Sequence, residues 1–275
     1  MKKKKLFRYL LIILGTILAL LYLYPVFILF INSFKTQKGI YINAIKFPDN
    51  LTFTLENYPE SIRKLDYLPA FFNSLGITLV SAVLILLTSA MAAWALARNK
   101  SKASNGVFLL FAASMLIPFQ CVMLPLVRVM GNLNLMNRPG LIFMYVGFGS
   151  SLSVVMLHGF VKGIPMELEE SAMIDGCGMI KRFFFIVLPL LKPIFVSVAV
   201  LNVMWLWNDF LLPSLVINQA GKQTLPLRTY QFFGQFSKRW DLATAALILA
   251  MIPIIVFYIF AQKQIVKGIT DGAIK

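Results

Sequence analysis

Residues able to do chemistry are sparse in this chain. Its single histidine, His158, has no acidic neighbours and so makes neither a metal site nor a catalytic triad. It reads as a packing or interfacial residue. Cys121 and Cys177 lie far apart without metal-like spacing, and a structural disulfide is not expected. No His-Glu-x-x-His or Gly-x-Ser-x-Gly motif occurs. A phosphate-binding loop of the form G-x-x-x-x-G-K-[ST] is also absent: Gly221-Lys222 is followed by Gln223, and Val216 stands where the first glycine is required. The pattern predicts no catalytic residues, no bound metal or cofactor, and no ATP hydrolysis by this chain itself.

One carboxylate stands out by its surroundings. Asp209 is the only acidic residue inside a long apolar stretch, where an aspartate costs roughly 2.5–3.5 kcal/mol to insert. Intramembrane acids face a bundle interior or a watery path. With Asn202, Trp205 and Asn208 it could line a path for a hydroxyl-rich ligand, the amides and acid exchanging hydrogen bonds and the indole offering a flat face. Asn202 and Asp209 are seven apart and would share a helix face. The plainer reading is that Asn208 and Asp209 bond to neighbouring helices and hold a bundle together.

The elements that would position these groups are membrane helices. The chain is 59% hydrophobic and 13% charged, whereas soluble domains carry roughly 25% charged residues. Six stretches are long enough to cross a bilayer as helices: 10–31, 73–97, 107–130, 141–160, 193–217 and 242–261. Prolines 25, 118, 125, 213 and 253 fall within them and could mark kinks. The first run continues through Pro25, Phe27 and Phe30, too long for a cleaved signal core, and reads as a retained helix.

Basic residues set the expected orientation. The net charge is +15, but Lys and Arg sit in short runs between the apolar stretches, which argues against nucleic-acid binding. With the N-terminus inside, 15 of the 26 basic residues face the cytoplasm, led by Lys2 to Lys5. Both termini are then cytoplasmic, and Arg128 snorkels at the outer end of the third span. Residues 32–72 read as a loop on the outer surface.

The segment 161–192 is long for a link between spans and holds Glu167, Glu169, Glu170 and Asp175. Pro165 suits a helix start, and the glutamates suit its positive end. Leu168, Ala172, Met173 and Ile174 give this helix an apolar side, Gly176 and Gly178 interrupt it, and a second stretch with Phe183, Phe184, Ile186 and Leu188 runs to Pro189. Such a helix–turn–helix fits either a protein groove or a membrane surface.

A resemblance separates those two readings. Glu170-Ser171-Ala172, three residues, Gly176, nine residues, Ile186, one residue, Leu188-Pro189 resembles the EAA loop of binding-protein-dependent ABC importer permeases, with Ser171 replacing an alanine. Trp207-Asn208-Asp209-Phe210 with Pro213, and the tail Gln264-Ile265-Val266-Lys267-Gly268-Ile269-Thr270-Asp271-Gly272-Ala273-Ile274-Lys275, resemble the carbohydrate-importing branch in the style of the smaller maltose-permease subunit.

The resemblance implies an all-α membrane protein with six transmembrane helices in the type I ABC importer fold. It implies an N-terminal helix and outer loop over 1–69, a transmembrane core over 70–262 and a cytoplasmic tail over 263–275. Its implied setting is a bacterial-type inner membrane. The implied partners are a second permease subunit, a cytoplasmic ATPase dimer carrying ATP and magnesium, an extracytoplasmic sugar-binding protein and membrane lipid. Glu170, Ser171, Ala172, Asp175, Gly176, Ile186, Leu188 and Pro189 would form the ATPase-coupling loop. Two rivals remain: an ion-coupled secondary transporter using Asp209, and an intramembrane enzyme, for which no catalytic constellation speaks.

Overall fold

A computed structural model describes residues 2–234 and 238–273, with side chains described over 7–234 and 238–263. The lysines at 2–5 and the tail at 264–275, on which part of the sequence reading leans, have side chains outside the described residues. In chain order the helices are α1 (Lys2–Ser33), α2 (Gln37–Ile42), α3 (Asn57–Leu65), α4 (Tyr67–Arg98), α5 (Lys102–Ser114), α6 (Phe119–Asn132) and α7 (Arg138–Val161). Then come α8 (Glu167–Ile174), α9 (Met179–Arg182), a π-helical turn (Phe183–Val187), α10 (Leu188–Leu190), α11 (Lys192–Asn208) and α12 (Leu211–Val216). The chain ends with α13 (Leu225–Thr229), a 3₁₀ turn (Tyr230–Phe232) and α14 (Trp240–Ala273).

Four helices are long and apolar enough to cross a membrane, with spans Phe7–Ser33, Tyr67–Arg98, Arg138–Val161 and Trp240–Lys263. Two bent pairs bring the number to six if each counts as one span. The first pair corrects the expected continuous helix over 107–130: α5 and α6 meet at 105°. Pro118 is the physical cause. It has no N–H to continue the ladder, it biases Ile117 away from helical angles, and its own φ of −61° and ψ of 138° begin a new helix. The expected span over 193–217 is also interrupted. α11 stops at Asn208, Asp209 is extended (ψ 127°), and α12 resumes at Leu211. The other bend, 81°, lies between the Met179–Leu190 stretch and α11.

The chain divides into two compact units. One comprises 1–68 and 228–252. The segment 32–72, expected to be a loop from its polar composition, instead carries two short helices, α2 and α3, and the start of α4. Thr36 caps α2 by accepting from the Gly39 N–H, and Lys35 pairs with Phe53 as an isolated bridge. Asp66, at φ 44°, closes α3 in the left-handed region and pairs with Arg228. Lys64 Nζ, 2.7 Å from Glu60, holds that carboxyl below the usual carboxylate range.

The other unit comprises 69–227 and 253–275. Two buried clusters fill it. One joins Trp94, Leu157, Phe183, Val187, Leu191 and Val198; the other joins Ile85, Leu141, Tyr145, Leu206 and Leu212. Small residues bring the helices close. At Gly149 of α7 an added Cβ would lie 2.5 Å from Ile85 Cδ1 and 3.0 Å from Asn202 Oδ1. His158 is buried and stacks on Phe108 with ring centroids 4.0 Å apart, a packing role.

Candidate coupling loop and translocation path

The segment between α7 and α11 is two short helical stretches with a break, as its residue pattern predicts. α8 carries Glu167, Glu169 and Glu170 in its first turn, where negative charge complements the free N–H groups. Its C-terminal end is set by Gly176 at φ 77°, a left-handed angle that favours glycine. Nothing lies within 4 Å of a Cβ added there, so only the backbone angle, and no close approach within the chain, requires glycine. Gly178 is extended (φ −65°, ψ 165°) and starts α9.

The π-helical turn Phe183–Val187 precedes Pro189. A proline ring clashes with the carbonyl four residues back and offers no N–H to it. The wider turn has the Leu188 N–H bond five residues back, to Phe183, and makes room for the ring.

α8 presents two different faces. Ala172 and Glu169 point inward and are buried. Leu168 and Met173 are nearly half exposed, and Ile174 is 87% exposed. Glu170, Ser171, Asp175 and Gly176 are also exposed, while Ser171 Oγ donates back to the Glu167 carbonyl at 2.8 Å. Ile186 and Leu188 are half-buried and Pro189 is exposed. The apolar side of the second stretch is split: Phe183 and Val187 enter the core, whereas Phe184 and Phe185 stay exposed.

Glu169 was not distinguished from its neighbours by the sequence pattern, yet it is the anchor of the loop. Trp94 Nε1 donates to one carboxylate oxygen at 2.9 Å and Arg98 Nε to the other at 2.7 Å. Arg98 also donates to the Ile164 carbonyl at 3.0 Å. Arg182 Nε lies 3.7 Å from Glu169, and its guanidinium sits 5.5 Å from the Trp94 ring centroid. A signal was present in the basic residue ending the second long apolar run, but a separation of 71 positions between Arg98 and Glu169 hides the pairing.

The four path candidates do not form one surface. Asn202 is buried; its amide donates to Ser153 Oγ and to the Val198 carbonyl, both at 2.9 Å. Asn208 is exposed and donates to the Met204 carbonyl at 2.8 Å. Asp209 does not share a helix face with Asn202, because it lies beyond the end of α11. Its carboxylate accepts from Tyr145 Oη at 2.9 Å and from the Leu211 N–H at 3.1 Å. An aspartate that bonds to a nearby main-chain N–H competes with the helix, which accounts for the break. Trp205 meets Tyr145 edge-to-face at 5.5 Å and lines a cleft of about 1080 Å³ bounded by α5, α6 and α7. Phe111, Phe148, Ser114, Ser150 and Ser151 are among its other walls.

Among the described residues the chain is mostly helical, with four helices long and apolar enough to cross a membrane, or six if each bent pair is one span, and these features fit a membrane permease. A sequence model described as "Binding-protein-dependent transport system inner membrane component" matches residues 85–271, and the chain belongs to that family. It is 46% identical over 275 residues, 100% of both chains, to the "Probable starch degradation products transport system permease protein AmyC" of Thermoanaerobacterium thermosulfurigenes. It is 34% identical over 265 residues, 96% of this chain and 95% of the relative, to the "Melibiose/raffinose/stachyose import permease protein MelC" of Bacillus subtilis (strain 168). Among solved structures, a bacterial ABC transporter involved in the import of the acidic polysaccharide alginate superposes with a TM-score of 0.80 at 18% identity, covering 96% of this chain and 98% of that one. The expected type I importer fold is therefore the fold observed.

Proposed function

We propose that this chain is a permease subunit of an ATP-driven carbohydrate importer, forming half of the translocation path. The relatives with sugar-import names match nearly its full length, which supports the substrate class. The loop 161–192 docks α8 on a cytoplasmic ATPase, and Glu170, Ser171, Ala172, Asp175, Gly176, Ile186, Leu188 and Pro189 shape that contact. A second permease, an ATPase dimer holding ATP and magnesium, and an outer sugar-binding protein complete the assembly. The setting is a bacterial inner membrane with both termini in the cytoplasm, the core spans 70–262, and the chain is not itself an enzyme.

The observation that carries this reading is the pair of faces on α8. Glu169 is clamped inward while Leu168, Met173 and Ile174 project outward beside a glycine-fixed turn. Ile174 lies opposite the buried Glu169 and Ala172, with Leu168 and Met173 on the two flanks. Exposed apolar side chains on a helix anchored from its inner side suit a protein groove. For Asp209, engagement of both carboxylate oxygens by Tyr145 and Leu211 favours the bundle-holding role over ion coupling. Trp205, beside the cleft, is the path candidate best placed to meet a sugar ring.

The test is uptake of labelled oligosaccharide into vesicles bearing the complete transporter. Uptake should require ATP and the outer binding protein and should survive ionophores. Uptake driven by a proton gradient without ATP would contradict the proposal.

A further inference from the structure

The Glu169 cluster joins three separate stretches of chain at one buried carboxylate. Trp94 and Arg98 come from the last turns of α4, Glu169 from the first turn of α8, and Arg182 from the end of α9. The Glu169 side chain is 1% exposed, and those of Arg98 and Arg182 are each 17% exposed. Removing one partner of such a buried pair leaves an uncompensated charge, so the link resists being pulled apart.

The two guanidinium groups are held unequally. Arg98 makes a short, direct hydrogen bond at 2.7 Å, whereas Arg182 stands off at 3.7 Å. Arg182 Nε is buried without a hydrogen-bond partner among the described residues. Arg98 thus fixes α8 to the membrane helix α4, and its second bond to Ile164 ties in the residue just ahead of the loop helix. None of these groups lies on the exposed side of α8. Their placement suits passing on a displacement of α8, not making contact with whatever displaces it.

We propose that Glu169 is a positioning residue that carries movement of α8 into α4, with Arg98 as its principal partner and Trp94 and Arg182 as its supports. This rests on the reading of the loop as the ATPase contact, and it adds a separate claim: docking and transmission use opposite faces of the same helix. Breaking the inner face should leave the ATPase bound yet disconnect its cycle from transport.

The experiment compares Glu169→Gln with wild type in the complete transporter. The readouts are co-purification of the ATPase, basal hydrolysis, and sugar taken up per ATP hydrolysed in vesicles. Glu169→Gln should co-purify the ATPase normally while uptake per ATP falls about tenfold, within the range of coupling between linked sites. Arg98→Gln should do the same, and the double variant should be no worse than the poorer single one, because both break one link.

If Glu169→Gln is poorly recovered, Glu169→Gln/Arg182→Met is used in its place; it removes one negative and one positive charge and keeps the site's net charge. Unchanged uptake per ATP in the recovered variant overturns the proposal, as does loss of ATPase co-purification, which would put Glu169 in the docking contact. Ile174→Glu, on the outer face, separates the two readings. If it leaves assembly and uptake intact, the docking reading fails; if it abolishes assembly while Glu169→Gln has no effect, only the transmission claim fails.

Discussion

The Tyr145 hydroxyl donates to the Asp209 carboxylate at 2.9 Å, joining the N-terminal half of α7 to the break between α11 and α12. The other carboxylate oxygen accepts from the Leu211 N–H, so one side chain both interrupts a helix and fastens the interruption to its neighbour. An amide can still accept one of these bonds. Asp209→Asn should therefore retain more than about half of wild-type uptake, whereas Asp209→Ala, which loses both, should fall well below it. If Asp209→Asn instead abolishes uptake and any response to pH with it, the carboxylate couples an ion and the bundle-holding role is wrong.

At Gly149, α7 packs closely against α4 and α11. A methyl group there meets the end of Ile85 and the Asn202 amide oxygen. Gly149→Val should destabilise the protein by about 1–3 kcal/mol, the usual cost of overpacking. Ile85→Val removes the methyl nearest the added carbon, so Gly149→Ala/Ile85→Val should unfold at a higher temperature than Gly149→Ala alone. Thermal unfolding in detergent measures both.

The orientation can be read by labelling. In a background with Cys121 and Cys177 replaced by serine, Ile45→Cys and Lys222→Cys should react with an impermeant maleimide added to intact cells. Glu170→Cys should react only after the membrane is opened. Labelling of Glu170→Cys from outside would invert the topology and remove the loop from the cytoplasm.

Much of the architecture was legible because a bilayer demands long apolar runs, and α1, α4, α7 and α14 follow runs that hydropathy alone picks out. The breaks at Pro118 and Asp209 were not, because the apolar composition continues across both, and a kink, a tolerated proline and a broken helix look alike in sequence. Helix formation in 32–72 was missed for the opposite reason. Its polar surface looks like a loop, and its order depends on local caps such as Thr36 and Asp66.

Within the loop, the turn at Gly176 was visible in the glycine itself. The burial of Glu169 was not, since Glu167, Glu169 and Glu170 are chemically equivalent until Arg98 and Trp94 choose one of them. Arg182 shows the same limit, as its neighbour Lys181 is exposed and only the fold tells the two cations apart.

Gly176 and Glu170 are the positions at which to ask whether the loop around α8 joins this permease to an ATPase. A valine at φ 77° is strained, and a lysine at position 170 reverses a charge in the first turn of α8. Both sites are exposed, so neither change disturbs the membrane helices. The measurement is ATPase co-purification with wild type, Gly176→Val and Glu170→Lys, read alongside sugar uptake and ligand-stimulated hydrolysis in vesicles. Both variants should insert normally, and each should lose uptake through weakened ATPase binding or unstimulated hydrolysis. Normal assembly, uptake and stimulated hydrolysis in both would show that this loop is not the coupling element.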